Sequence, residues 1–165
     1  MPRKKGLEPG SPLPTFTLPD TTGQLIPSTS WKGKATLIVF HRGTWCYSCR
    51  KELHQLSENK PIIDDLGVNV VVVLGQKKES VIHWLENNPL PFPVLVDEDR
   101  SVIKKFDVYH LIGIDALNIA HPSVFLVSPE QKIVFGYVGR TQMDFPKPNQ
   151  LANIIHELLS KTEEV

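Results

Sequence analysis

Two short stretches of the chain, residues 35–41 and 68–74, are almost continuously apolar and rich in Val and Ile. Such runs are typical of parallel strands that helices cover on both faces. Between them, Leu53 and Leu56 are spaced for one face of a helix, and Pro61 should end or kink that helix. The pattern therefore predicts a strand, a helix and a second strand in a βαβ crossover.

The second half of the chain continues this alternation. Apolar spacing predicts helices at residues 79–87, 97–106 and 151–159, and strands at residues 94–96, 123–127 and 132–138. The last two strands should form an antiparallel hairpin around Ser128-Pro129-Glu130-Gln131. The final helix carries an i, i+3, i+4, i+7, i+8 apolar stripe from Leu151 to Leu159, and Pro146 and Pro148 are expected in the loop before it.

Length and charge limit the class of protein. The chain of 165 residues fits one α/β domain at residues 13–165, with residues 1–12 as a flexible tail. Eighteen basic residues balance eighteen acidic ones, which gives no attraction to nucleic acid or an anionic membrane. No apolar run approaches the roughly 18 residues of a membrane span, and the first ten residues lack the apolar stretch of a signal peptide. We therefore expect a cytoplasmic monomer or weak dimer.

Cys46 and Cys49 follow the first predicted central strand and open the next helix. At this spacing the two sulfurs can form a disulfide without backbone movement, and the free amides and dipole of a helix N-terminus stabilise a thiolate. The thiolate is the nucleophile in disulfide exchange. His41, Arg42, Arg50 and Lys51 add positive charge nearby. We predict that Cys46 is the more exposed and the more acidic thiol.

Three other interpretations of the cysteine pair have less support. A structural disulfide needs an oxidising compartment and usually closes a longer loop. A zinc site needs two further ligands, and of the two nearby histidines His54 points to another face of the helix than Cys49. Inert buried thiols remain an option for any pair, but a βαβ context favours a redox pair. We predict no metal, and no organic cofactor because the chain lacks a glycine-rich phosphate loop.

Trp45-Cys46-Tyr47-Ser48-Cys49 resembles the Trp-Cys-x-x-Cys site of the thioredoxin superfamily. His121-Pro122-Ser123 resembles the cis-proline segment of that superfamily, in which the proline lies opposite the dithiol and shapes the substrate groove. The resemblance implies a thioredoxin-like α/β fold, with a central mixed sheet flanked by helices and an N-terminal hairpin. It also implies a cis bond before the proline and a groove of five residues, namely Trp45, Tyr47, Ser48, His121 and Pro122.

The wider layout resembles the peroxiredoxin-like branch of the superfamily, of the alkyl hydroperoxide reductase and thiol-specific antioxidant type. Residues 14–20 resemble its opening hairpin, and residues 91–97 resemble its mid-chain loop and strand. That branch carries Pro-x-x-x-Thr-x-x-Cys, often with Glu three residues beyond. The matching positions here hold Arg42, Cys46 and Cys49, followed by Glu52. The Pro and Thr that help to bind peroxide are therefore both replaced.

The two resemblances assign different roles to the cysteines. A thioredoxin-like mechanism makes Cys46 the attacking thiol and Cys49 the resolving thiol, whereas a peroxiredoxin-like mechanism makes Cys49 the peroxide-reactive thiol. We favour Cys46, because the Cys-x-x-Cys motif is complete and the peroxidase motif is not. The group that moves the proton of Cys49 is left open among Glu52, His41 and water.

The sequence thus predicts a thiol-disulfide oxidoreductase for antioxidant defence or thiol redox homeostasis. Its partners would be protein disulfides or a thioredoxin-type reductant, and neither nucleic acid nor a membrane. The alternatives are a thiol peroxidase that reduces hydroperoxides and a non-catalytic binding module of the same fold. A stretch that contains Tyr109, His110, Asp115 and His121 is interpreted as a loop over the site that shapes substrate access.

Overall fold

The structure is a computed structural model that describes residues 5–112, 117–141 and 143–163. In chain order the elements are β1 (Thr17–Pro19), β2 (Leu25–Pro27), a 3-10 helix (Ser28–Trp31), β3 (Thr36–His41), α1 (Tyr47–Glu58), α2 (Lys60–Asp65), β4 (Asn69–Leu74), α3 (Lys78–Asn87), β5 (Val94–Val96), α4 (Ser101–Lys105), β6 (Tyr109–Ile112), β7 (Leu117–Ala120), β8 (Ser123–Val127), β9 (Ile133–Val138) and α5 (Pro148–Glu163).

A five-stranded sheet in the order β5-β4-β3-β8-β9 forms the centre of the fold. Strands β3, β4 and β5 are parallel, while β8 runs antiparallel to β3 and β9 runs antiparallel to β8. The predicted mixed α/β sheet and its strands are confirmed. The β1–β2 hairpin, which the family resemblance implied, precedes the sheet.

The alternating side chains of β3 face two separate parts of the core. Leu37 and Val39 pack with buried residues of α1, α2, α3 and α5. Ile38 and Phe40 pack on the opposite face, with residues of α4 and of the N-terminal segment. This period of two is expected for a strand, and burial on both faces explains why the sequence of β3 is apolar throughout.

The helical segment between β3 and β4 is divided near its middle. Helix α1 ends at Glu58, and α2 begins at Lys60 with Pro61 in its first turn. Proline lacks the amide hydrogen that a helix interior needs, but it fits the first turn of a new helix. The break predicted at Pro61 is therefore confirmed. The same property corrects the placement of Pro148, which begins α5 and does not lie in the loop before it.

The segment interpreted as a loop over the site is a β-hairpin instead. Strands β6 and β7 pair antiparallel, with Tyr109 opposite Ala120 and His110 opposite Ile119. Four-residue strands of mixed polarity do not produce the long apolar run that marked the central strands. Asp115, also placed in that loop, lies outside the described residues.

The N-terminal segment has defined backbone hydrogen-bond partners from residue 6 onward. Gly10 donates to the carbonyl of Ile133 at 2.7 Å, and the amide of Ile133 donates to Ser11 at 2.8 Å. These bonds lie at the start of β9, on the edge of the central sheet. Residues 1–4 of the predicted tail lie outside the described residues. None of the described helices is long and apolar enough to cross a membrane.

Candidate active site

The two cysteines lie at the junction between the end of β3 and the start of α1. Cys46 is the N-cap of α1, and its Sγ accepts the amide hydrogen of Cys49 at 3.4 Å. The Sγ atoms of the two thiols are 2.8 Å apart, and the Cys49 thiol donates to Cys46. Both side chains are buried, with 4% of Cys46 and none of Cys49 exposed, so the predicted difference in exposure is small.

The pKa values of the two thiols are shifted in opposite directions. The hydrogen bond from the Cys49 thiol lowers the pKa of Cys46 to about 6, against the opposing effect of burial, and the Cys49 amide and Arg42 lower it further. The same hydrogen bond, together with burial and the charge on Cys46, raises the pKa of Cys49. Cys46 is therefore largely a thiolate at neutral pH, while Cys49 keeps its proton.

Arg42 lies beside the reactive sulfur. Its Nη1 atom is 3.7 Å from Cys46 Sγ, and its guanidinium lies over the ring of Trp45, 5.0 Å from the ring centre. A Cβ atom on Gly43 would come within 2.3 Å of Trp45 Nε1, so glycine lets the indole pack against the loop backbone. The loop thus holds the buried Arg42 guanidinium beside the Cys46 thiolate, and the ring of Trp45 packs on the guanidinium.

A half-buried carboxyl and a buried imidazole lie close to the dithiol. Glu52 Oε2 is 3.5 Å from His41 Nδ1, and the His41 ring packs on Phe145 with ring centres 4.8 Å apart. Burial lowers the pKa of His41 to about 3. Burial, followed by the charges on Cys46 and Asp144, raises the pKa of Glu52 to about 8. Both groups are therefore mainly uncharged at neutral pH, and the contact is not an ion pair.

The predicted groove residues differ in their positions. Trp45 is 44% exposed and Tyr47 is 73% exposed, whereas Ser48 is half-buried. Because Phe40 pairs with Ser123, Pro122 and His41 lie at the same end of the sheet, next to the loop that carries the dithiol. No peptide bond among the described residues is cis, so the cis bond predicted before Pro122 is wrong. The trans form is the more stable isomer even before proline.

His121, the other predicted groove residue, stacks against His110. The two rings are 4.6 Å apart and nearly parallel, at 4°. Burial, together with the positive charges of His110 and Lys5, lowers the pKa of His121 to about 4. His121 is therefore mainly uncharged at neutral pH, and we assign no contact between His121 and the dithiol.

A groove of about 290 Å³ lies beside the start of α1. Its walls come from α1, from the segment between β9 and α5 and from the start of α5, and they include Tyr47, Ser48, Lys51, Glu52, Phe145 and Pro146. The groove gives solvent a route to the Glu52 side chain. Among the described residues, no three His, Cys, Asp or Glu side chains are grouped so that they could hold a metal ion.

Sequence reasoning missed the residues that other elements contribute to the site. Gln76, two residues beyond β4, bonds Thr44 in the dithiol loop. Phe145 contacts His41, and the charge of Asp144 acts on Glu52. Because β3 and β4 are parallel neighbours, the ends of both strands meet at one edge of the sheet. That rule could have identified Gln76, but no comparable signal marks the residues before α5.

Comparisons with known proteins identify the family of this chain. The family model described as AhpC/TSA matches residues 9–135. The thiol-disulfide oxidoreductase ResA of Bacillus subtilis (strain 168) is 34% identical over 132 residues, which cover 79% of this chain and 68% of ResA. A putative peroxiredoxin of Mycobacterium tuberculosis (strain H37Rv) is 28% identical over 131 residues, covering 78% of this chain and 83% of the relative.

Solved structures support the fold. A cysteine-to-serine mutant of the peroxiredoxin 6 of Arenicola marina superposes with a TM-score of 0.86 at 15% identity, covering 95% of this chain and 76% of that one. AhpC of Enterococcus faecalis superposes with a TM-score of 0.84 at 18% identity, covering 94% of each chain. The family match spans most of the chain, and the relatives are oxidoreductases. The chain therefore belongs to the AhpC/TSA family and is a thioredoxin-fold oxidoreductase with a Cys-x-x-Cys pair at the start of α1.

Proposed function

We propose that the protein reduces disulfides of protein substrates, with Cys46 as the attacking thiol and Cys49 as the resolving thiol. The observation that carries this proposal is the asymmetry of the pair: an acidic Cys46 sulfur that accepts a hydrogen bond from a protonated Cys49, 2.8 Å away. Disulfide exchange needs one thiolate that attacks the substrate and a second thiol that stays protonated until the mixed disulfide has formed. The reducing cytoplasm expected from the sequence would supply a thioredoxin-type reductant to regenerate the dithiol.

Reduction of a substrate disulfide takes two successive displacements at sulfur. The Cys46 thiolate attacks one sulfur of the substrate disulfide, so a mixed disulfide forms and the other substrate sulfur leaves as a thiolate. Cys49 then loses its proton and attacks the Cys46 sulfur. The second substrate thiolate leaves, and the enzyme retains a Cys46–Cys49 disulfide. The substrate gains two electrons, and the enzyme dithiol loses them.

Glu52 is proposed as the group that accepts the proton of Cys49. The charge on Cys46 is one of the causes that keep the Glu52 carboxyl protonated. That charge disappears when Cys46 enters the mixed disulfide, so the pKa of Glu52 falls at the stage when a base is needed. His41, which is buried and keeps a low pKa, would contact the carboxyl without competing for the proton.

A trapping experiment tests the assignment of the two cysteines. The Cys49→Ser variant should form a stable mixed disulfide with a protein disulfide substrate, because the resolving thiol is absent. The Cys46→Ser variant should form little or none at neutral pH, and the variant with both serines is the control. Faster trapping by Cys46→Ser than by Cys49→Ser would overturn the assignment.

Peroxide turnover separates this function from that of a thiol peroxidase. Pre-reduced wild-type protein, freed of other thiols, should reduce an aromatic disulfide rapidly. With dithiothreitol as the reductant, it should consume hydrogen peroxide no faster than an equal concentration of free thiol. Arg42 and Cys46 occupy the positions of the peroxide-binding Pro and Thr, which is why we expect slow peroxide consumption. Fast turnover of peroxide that depends on Cys49 would favour the peroxidase.

A further inference from the structure

The side chain of Gln76 makes two hydrogen bonds to one residue of the dithiol loop. Its Oε1 accepts the backbone amide of Thr44 at 2.8 Å, and its Nε2 donates to the Thr44 hydroxyl at 3.0 Å. The two residues are 32 positions apart, one after β4 and the other after β3. Because the backbone amide can only donate, the orientation of the Gln76 amide is fixed by this contact.

The loop that Gln76 holds has little regular structure of its own. It runs from Arg42 to Trp45 and closes with a turn in which Cys46 donates to the Gly43 carbonyl at 3.3 Å. A backbone bond of that length is weak. Thr44 is buried, so its amide and hydroxyl would each lose a partner if the Gln76 side chain were removed, and the loop would have to move to hydrate them.

Thr44 lies between the two groups whose separation affects the reactive thiol. Arg42, two residues before it, has Nη1 at 3.7 Å from the Sγ of Cys46, two residues after it. Electrostatic stabilisation of a thiolate falls as the distance from the cation increases, and it falls further when water enters the gap. A displacement of Thr44 would therefore change the ionisation of Cys46 without any contact between Gln76 and the sulfur.

We infer that Gln76 is a positioning residue for Cys46: through Thr44 it fixes the loop that holds Arg42 against the reactive sulfur. The inference rests on the proposed role of Cys46 as the attacking thiol. Half-buried and at the end of a neighbouring strand, Gln76 couples β4 to the site. A merely structural role would lower the stability of the fold and leave the acidity of Cys46 unchanged.

The test compares Gln76→Leu with wild type and with Gln24→Leu, a substitution of an exposed glutamine in the β1–β2 turn. In the fully reduced proteins, the ultraviolet absorbance of the thiolate is titrated and the rate of iodoacetamide alkylation is measured against pH. Gln76→Leu should raise the apparent pKa of Cys46 by about half a unit, which lowers the alkylation rate about threefold at pH values well below both pKa values. Gln24→Leu should match wild type.

A pair of substitutions at Thr44 provides an independent test of the role of Gln76. Thr44→Ser keeps the hydroxyl and the amide, and should keep the wild-type pKa of Cys46. Thr44→Val removes only the hydroxyl, and should raise the pKa less than Gln76→Leu does. If Gln76→Leu fails to fold, this pair decides: equal Cys46 pKa values in Thr44→Ser and Thr44→Val would overturn the inference.

Mapping of the alkylated residue separates this inference from the proposed function. If the label is on Cys46 in every protein while its pKa is the same in wild type and Gln76→Leu, only the role of Gln76 is refuted. A shift of equal size in Gln24→Leu would refute it as well. If the label in wild type is on Cys49, the proposed function itself fails.

Discussion

At the scale of single residues, the site is determined by which buried groups carry charge. Cys46 and Glu52 are both acids in a partly dehydrated environment, and the negative charge of Cys46 is a cause of the raised pKa of Glu52. Ionisation of both acids at once is unfavourable, because the two negative charges would repel each other. The hydrogen bond from Cys49 and the Arg42 guanidinium favour the thiolate, so the proton remains on the carboxyl.

This arrangement predicts a specific defect in Glu52→Gln. With a coloured aromatic disulfide, the first thiol released reports the attack by Cys46 and the second reports the attack by Cys49. The second phase should slow by about tenfold or more, since a general base contributes at least that much. The first phase should change little. Cys46 carries no charge in the mixed disulfide, so the base form of Glu52 appears at a lower pH at this stage than in the reduced protein. The second phase should therefore rise with pH below about 8 in wild type and lose that rise in the variant.

Glu58→Gln is the matched control for this kinetic experiment. Glu58 lies on the same helix but is exposed, and it pairs with His54 at 2.7 Å. Its removal should leave both phases at the wild-type rate. A Glu52→Gln variant with an unchanged second phase in stopped-flow measurements would mean that water, or another group, takes the proton of Cys49.

The site residues that could be predicted from the sequence lie within one continuous segment. The five residues Arg42, Cys46, Cys49, His41 and Glu52 all lie within twelve positions, where motif spacing and helix geometry relate them directly. Gln76 and Phe145 reach the same site from the ends of other elements. The parallel arrangement of β3 and β4 marks the edge of the sheet at which Gln76 lies, but its contact with Thr44 and the position of Phe145 depend on loop geometry, which the pattern of a single sequence does not specify.

At the scale of elements, α1 must be anchored for its N-terminus to hold the dithiol. Cys49 lies on the first turn, and Leu53 and Leu56 continue the same buried face of the helix. These two leucines pack against β3 and β4 residues in the core beneath the helices. The burial of this stripe, more than the intrinsic helix propensity of a twelve-residue segment, keeps α1 in place.

Leu53→Ala should therefore be strongly destabilising. Leu53 is fully buried, and removal of a buried leucine side chain typically costs about 2–5 kcal/mol. Ile62→Ala is the comparison, since Ile62 in α2 is 52% exposed and should cost less than about 1 kcal/mol. Urea unfolding of the two variants measures both losses of free energy. Equal losses would show that the buried stripe does not anchor α1.

Elements with strong periodicity were predictable, and the β6–β7 hairpin, whose strands are defined mainly by their pairing with each other, was not. The central strands β3 and β4 and the helix α5 follow apolar patterns longer than five residues. The four-residue strands β6 and β7 exist because they pair with each other, and the sequence between 107 and 121 carries no distinctive alternation. The predicted cis bond failed for a related reason, since the isomer depends on tertiary contacts that a motif does not specify.

At the scale of the whole molecule, buried and half-buried titratable groups on several elements act together on stability. His41 ends β3, His121 follows β7, and Glu52 lies on α1. Burial lowers the pKa of the two histidines to about 3 and about 4, and it is the largest cause of the Glu52 pKa of about 8. Unfolding returns each group towards its ordinary pKa, so the free energy of unfolding must vary with pH.

The signs of these shifts predict that stability rises from pH 5 to about pH 7 in a variant with both cysteines replaced by serine. Below pH 6.5 the unfolded chain binds protons at His41 and His121 more tightly than the folded chain, so stability falls as the pH decreases. Glu52 acts in the opposite direction, because burial and the charge of Asp144 still raise its folded pKa when the charge of Cys46 is absent, and its contribution falls as the pH rises above 4.5. Two histidines outweigh this one carboxyl.

Urea unfolding from pH 5 to 7 measures the slope. His41→Phe should reduce the rise of stability with pH, because one of the two histidines is gone, and Glu52→Gln should steepen it, because the opposing carboxyl is gone. A stability that falls from pH 5 to 7 would contradict the uncharged state of the two histidines in the folded protein.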